Sequence, residues 1–214
     1  MKKITWSMIL AIGLFSCESA DQDRSQSDTS QQKKAIDGME NEDTEDVKER
    51  VNFEDEVDFA KYCSSLLADG NIDALRPYTD GEILFSPYAY IQPKARKVTL
   101  AEIKEHTDDV HYWGDYDGSG DSISLTTLEY INQFVLSFDL TDEKVKVNKS
   151  TATPKVYGNE LNNVQKKFPG ATYVQFYHPP TKKDYMDWKA LLFVVEKKEN
   201  SFILKAIIHN QWTV

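Results

Sequence analysis

The stretch that decides the fold is DWKALLFVVEKKENSFILKAIIHNQWTV, residues 187–214. Two apolar runs flank a polar turn at residues 197–201, which predicts a β-hairpin with Glu199 and Asn200 in its turn. The expected register pairs Lys197 with Phe202 and, toward the open end, Lys189 with Asn210 and Asp187 with Trp212. The rest of the folded chain is expected to be organised around this ribbon.

Both faces of the ribbon are apolar in its middle. Because successive side chains of a strand point to opposite faces, the expected register places Leu191, Phe193 and Val195 on one face and His209 on the other. A ribbon with two apolar faces is central in its sheet and is covered on both sides. Polar groups gather only at its open end, so that end is our first candidate for a site.

Charge and cysteine content narrow the function classes. The 214 residues carry a formal net charge of -10, and no cluster of Lys and Arg is available to neutralise phosphates. Nucleic acid is therefore not an expected partner. Of the two cysteines, Cys17 has a different explanation below and Cys63 lies on an apolar helical stripe, so we expect no disulfide.

The first 17 residues have the layout of a signal peptide: Lys2 and Lys3, then an apolar run too short to span a bilayer. The ending Leu14-Phe15-Ser16-Cys17 resembles the lipobox of bacterial lipoproteins, although Phe15 replaces the usual small residue. The resemblance implies that Cys17 becomes the acylated N-terminus, carrying palmitate-type chains that hold the protein to a membrane. An ordinary secretory signal is the alternative.

Residues 18–51 are rich in Ser, Gln, Asp and Glu and poor in apolar residues. Such a segment cannot bury enough surface to offset its conformational entropy, so we expect a disordered acidic tether. A single folded domain is then expected over residues 52–214.

The domain reads as helices followed by strands. We expect a helix over 53–69 with Asn52 as its N-cap, a short helical turn over 71–76, and a strand over 82–90 in which Pro87 marks a sheet edge. Capping boxes begin two further helices, Thr99 with Glu102 and Thr126 with Glu129. The second is expected to bury Leu128, Ile131, Val135 and Phe138. Strands over 144–148 and 171–178 and a helix over 159–168 precede the hairpin.

The sequence matches cofactor-binding and metal-binding motifs only weakly. The loop from Asp115 to Asp121 places oxygen ligands as a calcium loop does, but its twelfth position is Thr126, which cannot supply the bidentate carboxylate. The four histidines have no zinc-type spacing. No nucleophile motif or phosphate-binding loop is present. We therefore expect neither a metal nor a cofactor.

Aromatic residues at strand ends and loop edges are the clearest candidates for contacts with a ligand. Their rings can line a cleft with their polar atoms pointing inward. Packing alone is the alternative explanation for most of them. The predicted ligand-binding residues are Tyr88, Trp113, His178, Asp187, Asn210 and Trp212.

The element order, ending in Ile207-Ile208-His209-Asn210-Gln211-Trp212-Thr213, resembles the NTF2-like (SnoaL-like) α+β cone over residues 52–214. That resemblance implies helices packed on a curved, mainly antiparallel sheet that ends in a three-strand meander. Motifs such as Phe85-Ser86-Pro87-Tyr88 and Met186-Asp187-Trp188 also resemble a group of bacterial envelope proteins without an assigned activity.

We therefore expect a lipid-anchored protein of the bacterial outer membrane, on its periplasmic or surface face, that binds a small or extended ligand in a sheet-lined pocket. One alternative is a cofactor-independent cone enzyme, a hydrolase or isomerase, with Asp187 and His209 as acid and base. The other is a structural or partner-binding lipoprotein. Binding ranks first because the expected register points Asp187 and His209 to opposite faces.

Overall fold

Eight strands form two sheets. They are β1 Glu82–Ser86, β2 Arg96–Thr99, β3 His111–Asp115, β4 Ser122–Leu125, β5 Lys144–Val147, β6 Thr172–His178, β7 Lys189–Lys198 and β8 Ser201–Gln211. Six strands pair in the order β2-β1-β8-β7-β6-β5, and β3 pairs with β4 separately. Within the large sheet β1 and β8 run parallel, while the other neighbouring strands are antiparallel.

The computed structural model describes residues 51–116, 118–137, 139–141, 143–147, 163–183, 187–199 and 201–211. Its helices are α1 Glu56–Ala68, a 3₁₀ helix Ile72–Tyr78, α2 Leu100–Glu105, α3 Thr127–Tyr130 with a π-helical turn Ile131–Val135, and α4 Val164–Lys167. The predicted α+β class is confirmed.

Helix α1 begins later than predicted, because its N-cap is Asp55 and not Asn52. The Asp55 carboxylate accepts hydrogen bonds from the backbone N–H groups of Val57 and Asp58, at 2.8 and 3.0 Å. These are donors that a helix start otherwise leaves unsatisfied. The helix ends at the predicted place, where Gly70 adopts φ +67. Cys63 is buried on the apolar stripe, as predicted.

Two predictions that depended on prolines were wrong. The short helix does not stop before Pro77 but continues to Tyr78 as a 3₁₀ helix. Strand β1 is not an edge strand: it ends at Ser86, before Pro87, and lies between β2 and β8. The missing N–H of Pro87 therefore costs no ladder hydrogen bond, and β1 is free to be internal.

The hairpin of β7 and β8 has the predicted turn but not the predicted register at its open end. Lys197 pairs with Phe202 as expected. Val194 then pairs with Ala206 and Val195 with Leu204, so Lys205 is an extra residue, a β-bulge. Beyond the bulge every pair shifts by one: Lys189 faces Gln211, and Asn210 faces Ala190. Trp212, the predicted partner of Asp187, lies outside the described residues.

The bulge reverses the predicted faces of the second half of β8, because a one-residue shift moves side chains to the other face. Ile207 packs in the same core as Leu191 and Phe193. Ala206 and Ile208 pack in the other core, with Trp188 and Leu192. We predicted that His209 points to the face of the ribbon opposite to that of Leu191. That prediction was wrong, because His209 pairs with Leu191 and contacts Phe134 of the first core.

Both faces of the sheet are covered. Helix α1, the 3₁₀ helix, α2, α3 and the small sheet pack on the first face. The second face is covered by the segments around Ile91 and Val164. Asn163 ties these segments together, since its side chain accepts from the Ile91 N–H at 2.8 Å and donates to the Ile91 carbonyl at 3.0 Å.

The predicted signal peptide with Cys17 and the predicted tether up to residue 50 lie outside the described residues. Within the described part of the chain, every helix is too short or too polar to cross a membrane.

Candidate functional site

The candidate site begins at the helix that follows the second capping box. The Thr126 hydroxyl accepts from the Glu129 N–H, and the Glu129 carboxylate accepts from the Thr126 N–H, so the predicted box is confirmed. After Tyr130 the helix widens into a π turn, in which the Leu136 N–H donates to the Ile131 carbonyl at 2.9 Å. Such turns are rare and occur frequently at functional sites.

The buried face of this helix consists of Thr127, Tyr130, Ile131, Phe134 and Val135. The predicted burial of Ile131 and Val135 is therefore confirmed. Leu128, expected in the core, is 37% exposed, which corrects the prediction. Phe138, expected on the same face, is outside the described residues.

Four aromatic rings, two from this helix and two from strands β1 and β3, form a wall. Trp113 stacks on Tyr130 with ring centroids 3.9 Å apart, and Tyr130 stacks on Phe134 at 4.9 Å. Phe85 meets Tyr130 edge-on at 5.9 Å. The edge of the wall reaches His209, whose ring centroid is 5.2 Å from that of Phe134.

Polar atoms are buried against this wall without hydrogen-bond partners. Among the described side chains these atoms include the Tyr130 hydroxyl, both ring nitrogens of His209 and the Thr127 hydroxyl. Tyr130 is 0% exposed and His209 is 1% exposed. A buried polar group without a partner costs about 1–3 kcal/mol, so several in one region call for an occupant or a function.

Burial keeps both groups uncharged at neutral pH. Removal from water lowers the pKa of His209 to about 3, Lys189 lowers it further, and the Pro87 carbonyl opposes the shift. That carbonyl does not reach the geometry of a hydrogen bond, since both ring nitrogens stay without a partner. Burial also raises the pKa of Tyr130 well above its ordinary value, with a smaller contribution from Tyr88. The cluster therefore presents a neutral imidazole and a phenol.

The segment Pro87-Tyr88 lies over both groups. Strand β1 pairs Ser86 with Ile208 in parallel, so Pro87 follows beside His209. The Tyr88 hydroxyl accepts a hydrogen bond from the Asp115 N–H at 3.0 Å. It occupies the space beside Gly114, where an added Cβ would lie 1.7 Å from it. We call Tyr88, Tyr130 and His209 the Tyr-His cluster.

Arg96 marks the rim of the wall. Its guanidinium lies 5.6 Å from the centroid of the Trp113 ring, donates to the Glu102 carboxylate and is 3.1 Å from Nε2 of His111. Because Glu102 already balances its charge, Arg96 adds no unpaired positive charge to the site.

The structure brings together only part of the predicted ligand set. Tyr88 packs against the core that contains Trp113, and its hydroxyl lies beside Gly114, the residue after Trp113. His178 lies at the end of β6, where its Nδ1 is 2.7 Å from the Glu143 carboxylate. Asn210 faces Ala190, whose side chain belongs to the second core, and so points away from the cluster. Trp212 is outside the described residues.

Asp187 has a local structural role. Its carboxylate accepts hydrogen bonds from the backbone N–H groups of Thr181 and Lys182 and from the Thr181 hydroxyl, at 2.5 to 3.2 Å. The Thr181 hydroxyl is the main cause that lowers the pKa of Asp187 to about 2. A carboxylate held in this way is a poor general base near neutral pH.

Sequence reasoning missed Tyr130, Phe134 and Thr127. Tyr130 and Phe134 stand four residues apart just after a capping box, which places two aromatic rings on one helical face. That spacing was the available signal. The π turn that follows Tyr130 has no comparable signature in the sequence.

Metal chemistry gains no support from the described residues, among which no group of three or more His, Cys, Asp and Glu side chains could hold an ion. In the loop weighed as a calcium site, the Asp115 carboxylate accepts from the hydroxyls of Tyr112 and Ser122. Tyr116 and Gly120 close the turn between β3 and β4 with a backbone hydrogen bond of 2.8 Å.

Cavities on the surface of the described residues include a groove, a cleft and a hollow that lie away from the aromatic wall. A groove of about 640 Å³ lies between α1 and residues 136–141. A cleft of about 580 Å³ lies beside the turn of the β7–β8 hairpin. A hollow of about 250 Å³ lies between the end of α1 and the outer side of the π turn. Their acidic residues include Asp139, bonded to Thr141, and Asp80, bonded to Lys205.

Comparisons with known proteins are sparse. No family profile and no curated protein matches the chain. Among solved structures, the chain is similar to the designed NTF2 protein Rd1NTF2_05 carrying five substitutions, at 12% identity and a TM-score of 0.30. The alignment covers 73% of this chain and 100% of that chain. At this TM-score the likeness carries no argument.

Proposed function

We propose that this chain is a lipid-anchored protein of the bacterial outer membrane whose folded domain binds a small molecule at the Tyr-His cluster. Cys17 is the acylated residue in this proposal, residues 18–51 are the tether, and the domain is an NTF2-like cone ending in a meander. The anchor rests on the lipobox resemblance, and the cone rests on the order of its elements. Binding requires neither a metal nor a cofactor.

The observation that carries the binding proposal is the set of unpartnered polar atoms of Tyr130 and His209. Both side chains are almost completely buried, and both lie on one aromatic wall beside a π turn. Such atoms reduce stability unless something bonds to them, and a ligand that does so is bound partly by relieving that cost. Ordered water is the competing occupant.

Entry requires movement, because Trp113 is 6% exposed and the cluster is closed above. The half-buried Tyr88 covers it, and the Tyr88 hydroxyl is held at a glycine by a hydrogen bond from Asp115. The segment around Pro87 and Gly114 is therefore the proposed entry.

The alternatives have less support. In the enzyme alternative Asp187 would act with His209, but the hydrogen bonds of Asp187 go to Thr181 and Lys182, and no described contact joins it to His209. A partner-binding lipoprotein would be favoured by an exposed aromatic patch. Trp113, Tyr130 and Phe134 are buried instead, although Tyr90 and Tyr112 are about half exposed, at 48% and 52%.

The test is nuclear magnetic resonance on the histidine rings. Full-length protein in detergent is titrated with flat aromatic fragments that carry neutral, negative or positive groups. We expect at least one fragment to bind at one molecule per chain and to shift the ring signals of His209, with those of His106 and His178 unchanged as controls. Fragments that never shift His209, or that shift only the control signals, would remove the Tyr-His cluster as a binding site.

A further inference from the structure

The Tyr-His cluster offers a specific set of hydrogen-bonding groups. A phenol hydroxyl donates one hydrogen bond and accepts others, while a neutral imidazole has one N–H donor and one acceptor nitrogen. All three positions on Tyr130 and His209 are buried and unpartnered among the described residues. A ligand hydroxyl can donate to or accept from either group, and a carbonyl oxygen can accept from the phenol or from the imidazole N–H.

The surroundings of the cluster disfavour charge. Phe85, Trp113 and Phe134 supply apolar ring surface next to Tyr130 and His209. An ion moved into such a place loses its hydration and needs a close opposite charge in return. Arg96 is already paired with Glu102.

Lys189 is the cation that acts on His209, and it disfavours a charged imidazole. It is paired with Gln211 at the end of the ribbon and is partly exposed, so water screens its charge. Among the described residues, Lys189 therefore does not act as a counterion for a carboxylate buried at the inner end of the site.

The shape of the wall adds a further constraint. Trp113, Tyr130 and Phe134 are stacked nearly in parallel, with interplanar angles of 17° and 21°. Gly114 leaves its strand without a side chain where Tyr88 approaches. A flat ligand that displaces Tyr88 would meet ring faces and edges, the geometry that aromatic partners favour.

We infer that the Tyr-His cluster recognises the uncharged oxygen function, a hydroxyl or a carbonyl, of a flat apolar molecule and rejects carboxylates. The inference rests on the proposed binding function and adds the chemical class of the ligand. The Tyr130 hydroxyl bonds to the oxygen, His209 lies beside Phe134 at the edge of the wall, and the wall holds the body of the molecule.

The experiment compares naphthol, naphthalene and naphthoate, three molecules with one ring system, by titration at pH 7 with the His209 ring signals as the readout. We expect naphthol to bind at least about tenfold more tightly than naphthalene, because a buried hydrogen-bonding site rejects an analogue that lacks the polar group. Naphthoate should bind at least about tenfold more weakly than naphthol, since its charge would be buried unpaired.

Two tyrosine variants make the test specific. Tyr130→Phe should remove most of the preference for naphthol over naphthalene. Tyr116→Phe is the matched control: Tyr116 also stacks near Phe134, at 6.4 Å, but its hydroxyl already bonds to Gln133. It should leave that preference unchanged.

The outcomes separate the two proposals. Naphthoate binding as tightly as naphthol, or equal binding of naphthol and naphthalene, would overturn the ligand class while leaving the site in place. A preference that survives in Tyr130→Phe would also overturn it. If none of the three molecules shifts the His209 ring signals, the site holds only water or nothing. That result would contradict the proposed function as well as the ligand class.

Discussion

Gly114 is the residue on which the closed form of the candidate site depends. Its φ of +141 lies in a region that side chains rarely adopt, and an added Cβ would overlap the Tyr88 hydroxyl. The Asp115 N–H that bonds to Tyr88 belongs to the next residue. A side chain at position 114 would therefore disturb the backbone conformation, the position of the Tyr88 ring and the closure of the site.

We predict that Gly114→Ala lowers the free energy of unfolding by about 3 kcal/mol, through backbone strain and displacement of Tyr88. Chemical denaturation measures it. Gly120→Ala is the control, because its φ of +73 is also positive but nothing lies within 4 Å of the added Cβ, so it should lose only about 1–2 kcal/mol. Equal losses in the two variants would show that Tyr88 does not press on Gly114.

His209 is expected to make the domain sensitive to mild acid. Its pKa falls from 6.5 to about 3 on folding, so between these values the unfolded chain binds a proton that the folded chain does not. The free energy of unfolding therefore decreases as the pH falls below about 6.5, with a slope approaching about 1.4 kcal/mol per pH unit.

Unfolding free energies of the wild type and of His209→Leu, measured between pH 7 and pH 5, test this prediction. The variant should lose most of the slope, and His209→Gln serves if the leucine variant does not fold. Carboxylates titrate mainly below this window. Identical slopes in wild type and variant would show that His209 is accessible to protons in the folded state.

At the scale of elements, the bulge at Lys205 determines which face of β8 carries its polar end. Without the extra residue, Ile207 and His209 would leave the core shared with Leu191 and Phe193. The Lys205 side chain points outward and pairs with the Asp80 carboxylate. The position of Lys205 in the chain thus matters more than its charge.

We predict that deletion of Lys205 costs more than about 4 kcal/mol or prevents folding, because the side chains that one half-strand contributes to the two cores are exchanged. Lys205→Ala keeps the bulge and removes only a partly exposed ion pair, so it should cost less than about 1 kcal/mol. Circular dichroism and denaturant titration measure both. A deletion variant that remains as stable as wild type would mean that the strand tolerates either register.

At the scale of the whole molecule, the proposed anchor determines where the protein is held, and the folded domain determines what it binds. Several acyl chains on one N-terminal residue bind a bilayer stably, whereas one chain does not. The acidic tether has little apolar surface to bury against the domain. Loss of the anchor should therefore change location without changing the fold.

We predict that Cys17→Ser moves the protein from the membrane fraction to the soluble envelope fraction, because the thiol that carries the lipid is lost. Fractionation followed by immunoblotting measures it, and metabolic labelling with palmitate should label the wild type only. Cys63→Ser is the matched control, since Cys63 is buried in α1 and should leave the membrane fraction labelled. Membrane retention of an unlabelled Cys17→Ser chain in its cleaved form would contradict the anchor.

Local patterns in the sequence predicted the local structure well, because they depend on neighbours along the chain. Both capping boxes, the turn of the hairpin with its Lys197–Phe202 pair, the stop at Gly70 and the two apolar faces of the ribbon are of this kind. Alternating apolar residues and a hydroxyl placed three residues before a carboxylate have their effect within a few residues. The α+β class followed from their order.

Only the tertiary structure decided which polar groups meet. The bulge at Lys205 inserts one residue into a regular strand and turns the following side chains to a new face. Whether such an insertion is stable depends on packing between distant segments, here β1, β3 and α3 against β8. His209 and Tyr130 consequently lie on one buried wall. Asp187, His178 and Asn210, which the sequence placed in one ligand set with Tyr88 and Trp113, have their contacts elsewhere.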